Sequence, residues 1–170
     1  MSHILIQFHA NLAGPEALQA QDLEQAALRT LAQAGITGPV MLALVISTNE
    51  HLQDLNLKFR GIDAPTDILS FASDPLPAEI EAEMEGTEDE TEDYLGDVII
   101  SLPYVAQRVA AENRPLRDEI CLLVVHGVLH LLGYDHSTPT EQAEMWALQA
   151  QTLQSLGITL EVPAYLHEDN

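Results

Sequence analysis

The run ICLLVVHGVLHLLGYDH (120–136) constrains this chain more than any other segment. It is apolar on nearly every face of a helix, so the helix it forms is central and buried. Yet it carries His126 and His130, four residues apart and therefore on one helical face. Gly133 follows as a left-handed helix stop. The turn made there brings His136 back toward the first two histidines. Burying two imidazoles in such a helix without a shared purpose would cost polar desolvation twice. Three converging imidazoles with a fourth position open are the ligand set of a catalytic zinc site. The spacing predicts one Zn2+ per chain on His126, His130 and His136, and imidazole suits nickel and other divalent ions as well.

The same spacing occurs in the zinc-protease pattern HExxHxxGxxH, with one substitution: Gly127 stands where that pattern has its glutamate. A carboxylate there moves a proton from water to the leaving amine, so its absence argues against peptide hydrolysis. A phosphodiester instead needs positive charge on its oxygens, which arginine supplies through forked hydrogen bonds. The residues alone leave two other readings open. One is a zinc metalloprotease with a base from elsewhere; the other is a non-catalytic protein with structural zinc.

Three segments, FRGIDAPTDILSF (59–71), YLGDVIIS (94–101) and HGVLHLLGYDH (126–136), occur in this order. Together they resemble the YbeY family, over a stretch from about Leu44 to Trp146. The resemblance implies a zincin-like α+β fold, with a small mixed sheet flanked by helices and the metal at the histidine helix. It implies a zinc-dependent, single-strand-selective endoribonuclease that matures the 3′ end of 16S ribosomal RNA and serves ribosome quality control. The implied partners are single-stranded or ribosomal RNA and the ribosome or its small subunit, with neither DNA nor a membrane. A non-catalytic ribosome-assembly factor is the alternative within the same setting. Arg60, by its FRG…PTD setting, matches the family's catalytic arginine. On the residues alone it reads as well as a surface ion-pair partner of Asp63 or Asp67. Asp67 and Asp97 stay outside the catalytic set.

Charge sits awkwardly with an RNA substrate. The net charge is −21, and the nine acids of residues 79–93 account for only part of it, the remainder still carrying −12. Such a body repels polyanions at long range. Five of the six basic residues fall in two groups, Lys58 with Arg60 and Arg108 with Arg114 and Arg117, so a local positive cleft on an acidic body is expected from them. The lone Cys121 is five residues from His126, about 140° round the helix, and reads as core rather than ligand. One cysteine, no secretory signal and no membrane-length apolar run together predict a cytoplasmic protein.

A single domain over residues 1–170 is expected, with an acidic flexible insert at about 72–93. Strands are predicted at 4–8, 40–47, 67–71 and 94–101. Helices are predicted at 15–34 with Pro15 in the first turn and Gly35 as stop, at about 49–58, at 102–112, through the histidine run, and at 139–156. A short helix at 77–84 is a further option. The second helix is expected to bury Leu52, Leu55 and Phe59, and residues 59–66 to form a loop. Asp135 is one expected hydrogen-bond partner for the histidine rings, with backbone carbonyls supplying the others.

Overall fold

The computed structural model describes residues 2–9, 18–73 and 93–160. Within them the chain runs β1 (His3–Phe8), α1 (Ala20–Gln33), β2 (Val40–Ser47), α2 (Asn49–Arg60), β3 (Ile68–Ala72), β4 (Asp93–Ser101), α3 (Leu102–Glu112), α4 (Leu116–Leu131) and α5 (Pro139–Ser155). The strands form one mixed sheet in the order β1-β2-β4-β3. β1, β2 and β4 are parallel, and β3 is antiparallel at one edge. The fold is α+β, as the strands-early, helices-late order implies. No helix among the described residues is long and apolar enough to cross a membrane.

Period-2 alternation divides the apolar strands between two faces. Leu42, Leu44, Ile46, Val98 and Ile100 join the main core, together with α1, α4 and α5. Leu69 and Ile99 point the other way and pack with Leu52 of α2 in a smaller cluster. The histidine helix α4 is buried at every residue from Glu119 to Leu129, which is the physical meaning of its apolar circumference.

Two glycines let the layers meet. At Gly96 the β2–β4 register shifts, leaving Leu95 as an extra residue on β4. Gly96 has φ 137, and a Cβ there would collide with the Phe71 carbonyl oxygen of the neighbouring strand. Gly127 is where α4 crosses the sheet, and a Cβ there would lie 2.8 Å from Val98 Cγ1 and 3.1 Å from Ile68 Cδ1. The glycine in the LGD motif and the one in the histidine motif are thus packing requirements of the fold.

Three expectations need correction. Helix α1 begins at Ala20, because a capping box between Gln19 and Asp22 sets its start, with the Gln19 amide donating to Asp22 Oδ2 at 3.2 Å. Pro15 lies outside the described residues. Helix α2 runs on to Arg60 and stops at Gly61, whose φ is 71, so Phe59 and Arg60 are the last helical turn and not loop. Phe59 is not core: it lies on the Leu52 stripe but past the small cluster, and it is 56% exposed. Asn56 takes the inward place and donates from Nδ2 to the Ala64 carbonyl at 2.9 Å, fixing the following loop. Of the acidic stretch 72–93, Ala72 ends β3 and Asp93 starts β4; residues 74–92, with the optional helix at 77–84, lie outside the described residues.

Candidate metal centre

Helix α4 carries the site and is anchored at its start by a buried ion network. Glu119, fully buried, faces Arg108 at 3.7 Å and pairs with Arg114. Arg108 also reaches Asp67 at 3.0 Å, and Arg117 pairs with Asp22 at 3.1 Å and Asp118 at 3.4 Å. The expected positive cleft from Arg108, Arg114 and Arg117 is therefore not formed. Their charge is spent against carboxylates that tertiary folding brings to them, joining α3 and α4 to the turn before β3. Asp67 belongs to this network, and Asp97 accepts a hydrogen bond from the Tyr94 hydroxyl.

Two turns further along α4, His126 and His130 face each other with their Nε2 atoms 3.1 Å apart and their rings edge to face. The positive φ at Gly133, 96°, turns the chain so that the His136 ring stands 5.5 Å from His126 and 5.3 Å from His130. One nitrogen from each ring lies within 4.8 Å of the other two. Among the described residues, the group of side chains placed to share one ion ends with these three.

The outer ring atoms decide what the inner ones offer. His126 Nδ1 lies 3.1 Å from Gln149 Oε1, and His130 Nδ1 lies 3.0 Å from the Tyr134 carbonyl oxygen. Both partners are acceptors, so each Nδ1 carries the proton and each Nε2 presents a lone pair. Two lone pairs at 3.1 Å repel unless a cation lies between them. His136 Nε2 is buried and has no hydrogen-bond partner among the described residues. Burial, then the neighbouring His130, pushes the His126 imidazole down to about 3, and burial followed by His136 lowers His130. Both rings are thus neutral at neutral pH, so protons do not compete for the inward lone pairs. A donor set of three neutral imidazoles with one orphaned buried nitrogen fits a divalent ion, and these three histidines can hold one.

The supporting residues differ in part from expectation. Tyr134 supplies the expected backbone carbonyl. Asp135 is not a ring partner: Oδ1 accepts from the His136 amide at 2.8 Å and Oδ2 from Ser137 Oγ at 3.0 Å, so it fixes the turn. The bond from the His136 amide holds its carboxyl below the usual range. Gln149 and Trp146 escaped the sequence reading. They sit three apart on α5, Trp146 stacking on His136 at 5.2 Å and Gln149 fixing His126. A buried glutamine on an otherwise apolar stripe with Met145 and Leu153 was the available signal. Replacing Gln149 with leucine is expected to weaken metal binding about 10- to 100-fold with little loss of fold, as read by competition with a chromogenic chelator. Unchanged affinity would reduce Gln149 to packing.

Cys121 is buried core on the side of α4 facing α1, its Sγ 3.9 Å from the Asp22 carbonyl, and burial raises the thiol to about 11. His9 and His51, which show no spacing pattern in sequence, stack at 4.6 Å around Ser47, away from the three ligand histidines. Arg60 does reach the centre's neighbourhood. It lines a cleft of about 420 Å³ together with His126, His130, Phe59 and Phe71. Among the described residues it enters no ion pair; Asp63 is engaged by Gln53 and Asp67 by Arg108.

A family model described as "Endoribonuclease YbeY" matches residues 9–157. A protein of that name from Brevibacillus brevis is 42% identical over 127 residues, covering 73% of this chain and 78% of its own. Another from a Roseiflexus species is 40% identical over 140 residues, covering 82% and 84%. The solution structure of TM1509 from Thermotoga maritima superposes with a TM-score of 0.53 at 22% identity, covering 99% of this chain and 97% of that one, which bears on the fold alone.

Proposed function

The chain belongs to the YbeY endoribonuclease family, and from that membership we propose that it is a zinc-dependent endoribonuclease that cuts single-stranded RNA at the His126–His130–His136 centre. The observation that carries this reading is the convergence of one nitrogen from each of His126, His130 and His136 within 4.8 Å of one another, beside a cleft that Arg60 also lines. A divalent ion held by the three imidazoles would supply positive charge to a phosphoryl oxygen and make a water molecule acidic enough to attack at neutral pH. The chain's own residues do the rest. Gln149 and Tyr134 keep the Nδ1 protons on the outer side, so both Nε2 atoms stay available. Arg60 clamps the scissile phosphate from the end of α2 and opposes the charge that grows on its oxygens.

The physiological role within this proposal is ribosomal RNA maturation, at the 3′ end of the small-subunit RNA, with ribosome quality control, in contact with the ribosome or its small subunit. A cytoplasmic setting goes with it. End-group analysis of the products from a defined single-stranded RNA, with and without chelator, tests the activity. Internal cuts that vanish with chelator support it; exonucleolytic products or chelator-resistant cuts oppose it.

Arg60→Ala is expected to lower kcat/KM on that RNA by about 10²- to 10³-fold. Arg60 is exposed and, among the described residues, unpaired, so the stability should change by no more than an ordinary surface substitution causes, about 0.5 kcal/mol. Activity equal to the wild type would remove Arg60 from the site.

A further inference from the structure

Beside Arg60 the same cleft holds a feature that metal chemistry does not use. Phe59 exposes 56% of its surface. Its ring rests on Phe71, centroid to centroid 5.0 Å and tilted by 59°, which holds it in place. Lys58 Nζ stands 5.2 Å from the ring centroid. Both aromatics line the cleft with His126, His130 and Arg60. Lys58 and Arg60 join no ion pair among the described residues, whereas Arg108, Arg114 and Arg117 all do. On a chain of net charge −21, this end of α2 is a place where an accessible aromatic ring and unpaired positive charge coincide.

We propose that Phe59, braced by Phe71, is a stacking seat for one unpaired nucleobase of the RNA, adjacent to the phosphate that Arg60 holds. The inference rests on the ribonuclease reading and adds to it a base-binding subsite. An aromatic face accepts any base, because every base has a π-face, so the seat reads strandedness rather than sequence. In a duplex both faces of a base are covered by its neighbours; in a single strand a base can leave its stack and lie on Phe59. Lys58 is long and flexible, and it moves from the ring to the phosphate that follows the seated base. Single-strand selectivity then arises from Phe59, and cleavage from the histidine centre.

The test uses the metal-loaded protein and one single-stranded RNA, intact or with a single abasic residue placed in turn at each position around the cut. Stacking of one base corresponds to about a 5- to 150-fold effect. The wild type should lose that factor at one abasic position. Phe59→Ala should lose the same factor on intact RNA, keep full metal content, and be indifferent to the abasic residue at that position, so the two losses do not multiply. Phe59→Tyr should restore the rate. Losses that multiply at every position, or wild-type speed in Phe59→Ala, would overturn the seat while leaving the ribonuclease reading intact; the latter outcome would leave Phe59 available to a protein partner. A metal-loaded wild type inert on intact RNA would overturn the ribonuclease reading and the seat with it.

Discussion

His130→Ala is expected to abolish metal retention and to reduce RNA cleavage by at least about a thousandfold, equivalent to about 4 kcal/mol of transition-state stabilisation. Two imidazoles cannot replace three, and the remaining pair, His126 and His136, has ring centroids 5.5 Å apart. The loss should not come from unfolding. His130 is only partly buried, and without an ion its Nε2 lone pair repels that of His126. Removing it therefore relieves an unfavourable contact in the metal-free protein. The expected pattern is a melting temperature no lower than that of metal-free wild type, and no rise on adding Zn2+. The wild type should rise, because an ion that binds only the native state stabilises it by mass action. A His130→Ala protein that kept one ion per chain would refute the ligand set.

The second large effect concerns the residue that separates this site from a protease. Gly127→Glu is expected to unfold the protein, not to give it peptidase activity. A side chain at 127 points at Val98 and Ile68, where even a Cβ comes within 2.8 Å of Val98 Cγ1. Val98 is β-branched and buried on β4, so it yields little. Overpacking costs about 1–3 kcal/mol, and burying an unpaired carboxylate adds several more. The sum approaches the whole stability of an ordinary domain, about 5–15 kcal/mol. Gly127→Ala should be milder, since the overpacking is offset in part by about 1 kcal/mol of helix propensity. Adding Val98→Ala should recover stability if the contact is the cause. A folded Gly127→Glu protein with wild-type melting behaviour would show that the helix does not press on the sheet there.

The histidine centre was legible because its three ligands lie within one helix and the turn after it. Spacing on a helix is itself geometry, so sequence translated directly into convergence. The strands were legible for the same local reason. What sequence concealed depends on partners far along the chain. Glu119 lies in the first turn of its helix, where an acid is ordinary, yet it is the buried hub of Arg108 and Arg114. No local pattern announces that three arginines will be consumed in this way. Gln149 meets His126 across 23 residues, and Phe59 meets Phe71 across the edge of the sheet. Phe59 shows how periodicity can mislead. Its position on the Leu52 stripe was read correctly, but the helix runs past the small apolar cluster that the stripe serves, and the ring emerges in the cleft.

The central claim is that one ion on His126, His130 and His136 makes this chain a ribonuclease. Stepwise addition of Zn2+ to metal-stripped protein, following cleavage of a defined single-stranded RNA, tests it most directly. Activity should be absent at the start, rise in proportion to added metal and level off at one equivalent per chain. Cleavage by the stripped protein at the loaded rate, or a rise that continues to a second equivalent, would contradict it.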